Sequence, residues 1–310
     1  MDAEEKKTKK AQKAEKKNKK KHKQKKKKSG SFTTILLVVI MIIGLGILLY
    51  PTISDYWNSF HASQVVAAYV EAVDDMSKEE KEAAMEAARA YNEKIASNWN
   101  LNVDEADLEE YNSLLNIGGN GVMGYIQIPK IGVNLPIYHT VEDVILQIAA
   151  GHIPGSSLPI GGENTHSLLS GHRGLPSAKL FTDLDQLEEG DIFTITVLDQ
   201  TITYAVDQIR IVLPEETSDL RIEEGEDYCT LITCTPYGVN SHRMLVRGTR
   251  IENLSDIAVQ PDALKIPTYI VVPVLAIPLL FIILILLLAY YKTRPGKVTL
   301  EDIEEYRKGL

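Results

Sequence analysis

The sequence is short of cysteine, with two, Cys229 and Cys234, in 310 residues. It has no cluster of Cys, His and acidic residues at metal-ligand spacing and no glycine-rich phosphate loop, so no metal and no cofactor is implied. It has no internal repeat, which sets aside solenoid and propeller architectures. No Ala-x-Ala-like site follows the first apolar run, Phe32 to Tyr50. That run is therefore expected to stay as an anchor instead of being removed as a signal peptide.

What is present is unevenly placed. Residues 1–28 hold fifteen Lys against four acids, a net +11, so the rest of the chain carries −20 of an overall −9. A Lys-rich arm of this kind is expected to be solvated and unstructured. Its position beside an apolar run favours a membrane flank over a nucleic-acid arm. Phe32–Tyr50 is nineteen residues without a charge, close to the ~20 that span a hydrocarbon core. A second uncharged run, 266–291, has Pro267, Pro273 and Pro278 in its first half and is followed by Lys292, Arg294 and Lys297. Two spans with basic flanks put both termini in the cytoplasm and the segment between them outside. The expected organisation is a cytoplasmic tail over 1–31, a span over 32–50, a helical extension with a possible cover over 51–121, a β domain over 122–255, a second span over 266–291 and a cytoplasmic tail over 292–310.

Within the outer segment, 59–97 reads as helix, with Ser77 and Glu80 spaced as a capping box. Its sparse apolar positions suggest that it flanks a core. A short acidic helix is expected near 104–115, followed by Gly118-Gly119-Asn120-Gly121. From Met123 onward the pattern turns to short β runs at 123–128, 133–138, 166–172, 191–198, 201–212, 228–234 and 243–250, with a short helix at 141–150. Strands spaced like this argue for a small, mostly antiparallel barrel or sandwich.

The chemistry-bearing residues are few. Five residues apart in one strand, the two cysteines face opposite ways, and at ~3.3 Å per residue they lie about 16 Å apart, too far for a disulfide. Cys229 reads as a small buried hydrophobe. Cys234 closes a strand before Thr235-Pro236-Tyr237-Gly238, where a thiol can face a cleft. A cysteine nucleophile needs a proton acceptor and a donor for the developing oxyanion. Of seven histidines, His22 falls in the tail, His61 beside the first span, and His139 and His152 flank the short helix. His166, His172 and His242 remain, and His172 sits at a strand end in Ser170-Gly171-His172-Arg173-Gly174. Arg243 opens the strand after Cys234, and a tight turn would return it beside that thiol.

Together these segments resemble a known family. Thr230-Leu231-Ile232-Thr233-Cys234 is similar to the TLxTC signature of sortases, and the likeness continues to Arg250. THSLLSGHRGLPSAKLF, residues 165–181, resembles the stretch that carries the sortase histidine. The resemblance covers about 120–252. The topology and helical extension resemble class C, the pilus-building sortases. What it implies is a mostly β fold: a sortase-like closed β-barrel of seven to eight strands with short helices, a helical N-terminal extension and two transmembrane helices. It implies Cys234 as nucleophile, His172 as general acid/base and Arg243 as transition-state stabiliser. It also implies partners that are pilins or other surface proteins with LPxTG-like sorting signals, held at the membrane lipid surface of a Gram-positive cell, with no nucleic acid. Class C members commonly carry an Asp-Pro-Phe or Asp-Pro-Trp lid, and that tripeptide is missing here. Trp99 and Asp104 are the nearest equivalents, expected to fill the groove and to pair with Arg243 or a nearby base. Two rival readings are a sortase that joins proteins to a cell-wall peptide and a non-enzymatic surface binding module.

Overall fold

The computed structural model describes the backbone of residues 2–253, with side chains from Leu36 onward; beyond 253 only residues 277, 280, 281, 284 and 307 are described. The expected second span at 266–291 and the tail 292–310 therefore lie outside the described residues, those five positions apart.

The first element, α1 (Asp2–Asp74), is a single helix with Pro51 inside it. The Lys-rich arm, expected to be unstructured, continues this helix, since Lys, Ala, Gln and Glu are all good helix formers. From Leu36 the helix is long and apolar enough to cross a membrane; its 18-residue window has a mean hydropathy of 2.6 and no buried share. Past that stretch, Ala62, Val65, Tyr69 and Val73 line one stripe and pack on the core. The Tyr69 hydroxyl donates to Met123 O (3.0 Å) and accepts from Leu198 N–H (2.8 Å), which fixes α1 to two parts of the β domain.

The helix expected over 59–97 is two helices. It breaks ahead of Ser77, which caps α2 (Lys78–Ser97) in a reciprocal box with Glu80. The Ser77 hydroxyl satisfies a free N–H at the new N-terminus, so the chain restarts there instead of running through. Met85, Ala88, Tyr91, Asn92 and Ile95 of α2 are buried, so this helix supplies core as well as flanking it. Asn92 clamps Leu158, accepting from its N–H at 2.7 Å and donating to its carbonyl at 3.1 Å. The acidic helix α3 (Glu105–Ser113) follows where expected, capped by Asp104.

The β domain is a closed eight-stranded barrel: β1 (Val122–Ile128), β2 (Val133–Tyr138), β3 (Ala150–His152), β4 (Thr165–Ser170), β5 (Ile192–Val197), β6 (Gln200–Val212), β7 (Asp227–Thr235) and β8 (His242–Ile251). Around the barrel the order is β1-β2-β3-β4-β7-β8-β6-β5. The pairs β2–β3 and β4–β7 are parallel and the others antiparallel. The helix between β2 and β3 is α4 (Asp143–Leu146), shorter than the 141–150 expected, and the residues after it form β3.

Two apolar clusters lie on opposite faces of the central strands. Cys229, Leu231, Leu169 and Val246 join the main core inside the barrel. Their alternate neighbours Leu168, Ile232 and Leu245, with Val212 and Leu220, form a second cluster on the outer face. Trp99, Leu101 and Ile153 pack against this second cluster. Both faces of β7 are thus covered for most of its length, and cover is lost at its end, where Cys234 is half-buried.

Candidate active site

Strand register brings the candidate residues to one end of the barrel. Cys234 on β7 pairs directly with Arg243 on β8, which pairs on its other side with Val212 of β6. Cys234 shares the outer face with Ile232, two residues back, and so lies beyond the edge of the second cluster on that face. The Arg243 guanidinium donates to the carbonyls of Asn240 (3.3 Å) and His242 (3.1 Å) in the β7–β8 turn. Among the described residues it has no carboxylate partner, so its charge remains available to an incoming anion or carbonyl.

His172 reaches this end through the parallel pairing of β4 and β7, which runs to Ser170 opposite Ile232. His172 follows two residues after that last pair, as Cys234 follows two residues after Ile232 on β7. The chain beyond β4 is held to that course: Gly171 N–H donates to Ile232 O (3.1 Å) and the Thr233 hydroxyl donates to Gly171 O (2.8 Å). A Cβ at Gly171 would stand 2.6 Å from the Phe181 ring, so glycine is needed just before the histidine. Phe181 N–H in turn donates to His172 O (3.1 Å). The His172 ring is 27% exposed, and its Nε2 lies 2.9 Å from Asp143 Oδ1 at the start of α4. That hydrogen bond, and a second from Gln147, hold the Asp143 carboxyl below its usual range.

The other histidines separate from His172 by environment. Burial pushes His152 down to about 3 and His166 down to about 4. Each holds a backbone carbonyl, Ser157 O for His152 and Arg221 O for His166, and stays neutral at physiological pH. His139 is buried between the carbonyls of Gly121 and Leu114. His242 lies beside Arg243 with its Nδ1 on the Ser241 hydroxyl. The two thiols separate likewise. Both are free; Cys229 is fully buried, and desolvation, with a further contribution from the Asp227 charge, raises it well above its ordinary value. It is therefore held as an inert thiol.

Two acidic residues of the site went unread in the sequence. One is Asp143, 29 residues before its histidine partner. The other is Asp185, which pairs with Arg173. Arg173 also donates to the Thr235 hydroxyl (3.3 Å), so the cation next to His172 is neutralised while Arg243 is not. The cover residues divide. Trp99 packs against both apolar clusters, with Arg221 5.7 Å from its ring centre. Asp104 caps α3, accepting from Asp107 N–H at 2.9 Å, and its expected pairing with Arg243 does not occur. A cap needs its carboxylate turned into its own helix, which takes it away from the groove.

The sortase domain model matches residues 126–251, the barrel less its first turn of strand. The chain is 48% identical to sortase C1 from Streptococcus agalactiae, covering 62% of this chain and all of that one, with a TM-score of 0.60.

The chain belongs to the sortase family.

Sortases are cysteine transpeptidases, and the structural neighbours of this sortase are of class C. A Clostridium perfringens sortase C solved with its C-terminal cell wall sorting motif is 39% identical, with a TM-score of 0.55 over 62% of this chain and 100% of that one. Sortase A of S. agalactiae is 32% identical over 117 residues, 37% of this chain and 47% of that relative. The chain thus spans about half the length of that curated relative. Family membership sets aside the reading as a non-enzymatic module.

Proposed function

We propose that this sortase is a membrane-anchored pilus-building transpeptidase in which Cys234 is the nucleophile, His172 the general acid/base and Arg243 the oxyanion stabiliser. The observation that carries the reading is the register: a half-buried thiol opposite an arginine that has no carboxylate partner among the described residues, with a histidine two residues beyond the last β4–β7 pair. The Cys234 thiolate attacks the carbonyl carbon of Thr in an LPxTG-like signal. The negative oxygen that forms meets the Arg243 guanidinium. The C–N bond to Gly breaks as the His172 imidazolium gives its proton to the leaving amine, and a thioester remains. An incoming amine attacks that thioester, returns a proton to His172 and expels the thiolate. In this reading the amine is a pilin lysine and the product an isopeptide-linked polymer.

The apolar floor of Leu168, Ile232 and Leu245 lies on the same face of the sheet as Cys234 and suits the apolar Leu-Pro part of such a signal. Trp99 and Leu101 lie over that floor, so the segment around them acts as the lid. Lacking an Asp-Pro-aromatic turn and with Asp104 committed to α3, this lid is held by the apolar packing of Trp99 and Leu101, by Arg221 over the Trp99 ring and by the ion pairs of Lys94 with Asp107 and Glu110. The domain plan follows the same reading: cytoplasmic tails at 1–31 and 292–310, spans at 32–50 and 266–291, the extension at 51–121 and the catalytic barrel at 122–255 outside the cell. The Lys flanks and the apolar face of α1 support the first span.

The test is transpeptidation by the full-length protein in detergent with a sorting-signal peptide and two competing amines, a pilin lysine and a cell-wall stem peptide. Mass spectrometry of the products reads the acceptor. A lysine isopeptide supports the pilus reading, a stem-peptide adduct supports wall anchoring, and no cleavage of the signal overturns both.

A further inference from the structure

The catalytic reading leaves Asp143 without a role, and its geometry is more ordered than an ordinary surface carboxylate requires. Its two oxygens have separate partners. Oδ1 takes His172 Nε2 at 2.9 Å, and Oδ2 takes the Gln147 side-chain N–H at 2.8 Å from the next turn. The carboxylate is therefore oriented from within its own segment before it meets the histidine.

The segment itself is anchored. Leu146 of α4 is buried, and a Cβ at Gly151 would fall 3.0 Å from a Leu146 methyl and 2.3 Å from Thr140 O. Glycine at 151 lets α4 and its entry settle onto β3. Gly151 is also the β3 residue opposite Ser170, two positions before His172. The same short strand thus carries the seat of α4 on one side and the approach to the histidine on the other. Among the described residues, the second ring nitrogen of His172, Nδ1, has no hydrogen-bond partner.

We infer that Asp143 is a positioning residue for the transfer: its carboxylate accepts a hydrogen bond from the Nε2–H of His172, fixes the ring and its tautomer, and leaves Nδ1 as the nitrogen that exchanges the proton. In the neutral ring the proton stays on Nε2 and Nδ1 keeps its lone pair for the proton of the attacking amine. In the imidazolium, Nδ1–H is the bond that breaks when the leaving Gly amine is protonated, and Asp143 faces the positive ring without taking a proton itself. Gln147 supports this indirectly by holding the carboxylate. The inference rests on His172 acting as the acid/base.

Two readouts on the full-length protein in detergent micelles test it. The first is the ring spectrum of protein labelled with ¹⁵N in histidine, the His172 signal being identified by its loss in His172→Gln. The wild type should show the Nε2–H tautomer alone, and Asp143→Ala should show a mixture. The second is steady-state turnover of a sorting-signal peptide. Asp143→Ala should lower kcat roughly tenfold with KM within about twofold, the signature of an interaction that matters to the chemical step. Asp143→Asn keeps an acceptor oxygen and should lose only about threefold, and Gln147→Ala about twofold. An unchanged ring spectrum in Asp143→Ala, an unchanged kcat, or a loss confined to KM would each overturn the role. Absence of turnover in the wild type would count against the sortase reading instead, while the ring spectrum would still decide whether Asp143 fixes the tautomer.

Discussion

Cys229 and Cys234 sit on one strand, five residues apart, in environments that have almost nothing in common. Cys229 points into the barrel, fully buried among apolar side chains, and desolvation favours its neutral thiol. Cys234 points outward where the second cluster ends, half-buried and across from Arg243. The sequence around each is similar: a small thiol flanked by threonines or aromatics in a β run. The difference arises from strand parity and from where the strand stops. Cys229 is the third of the nine residues of β7 and faces in; Cys234 is the eighth, one residue from the end, and faces out. The same strand makes one cysteine packing material and leaves the other half-buried on the outer face.

The largest expected effect sharpens this contrast directly. Cys234→Ala should reduce transpeptidation by more than about 10⁴-fold, as loss of a nucleophile does, while Cys229→Ala stays within about twofold of wild type in a peptide-cleavage assay. The next concerns Arg243, the residue across from Cys234. Arg243→Lys keeps the charge but loses the planar fork of donors, and turnover should fall about 10²-fold. Near-normal turnover in that variant would mean that Arg243 acts only as a distant charge. A smaller effect is expected at the cover. Trp99→Ala removes the aromatic packed on the outer cluster, and alkylation of Cys234 should speed up about fourfold, the size of ~0.8 kcal/mol of closure, with the buried Cys229 remaining unlabelled. A hundredfold rise would mean a tightly held lid, and no change would mean that Trp99 does not shield the thiol. The smallest effect returns to the inner face: Cys229→Ala should cost about 1 kcal/mol in a urea melt, as a one-atom deletion in a packed core does.

How far the sequence could be read depended on the range of the interactions. The strands β1, β2 and β4–β8 are legible because their apolar runs and bounding turns are local. The capping box at Ser77 was legible for the same reason, although it marks the start of a second helix and so divides the run expected to be continuous. The three-residue β3 was not legible, since Ala150-Gly151-His152 has no alternation to detect, and its residues fell at the end of an expected helix. Asp143 stayed unread because nothing near it in sequence signals a histidine 29 residues later; the link needs β3 and β4 side by side. The outer cluster stayed unread because Leu168, Ile232 and Leu245 look like ordinary strand residues until the barrel closes and gives them a second face to cover. As the nearest equivalent of a lid aspartate, Asp104 is expected to pair with Arg243 or a nearby base, yet the Asp107 N–H at the start of its own helix takes its carboxylate.

The central claim is that one outward-facing thiol does the chemistry, and the most direct measurement is the site of the acyl-enzyme. The full-length protein would be incubated with an LPxTG-like peptide in the absence of an acceptor amine, quenched in acid, digested and mapped by mass spectrometry. The account predicts a thioester adduct on Cys234 alone, lost in Cys234→Ala and kept in Cys229→Ala. An adduct on Cys229, or cleavage of the peptide with Cys234 replaced, would contradict it.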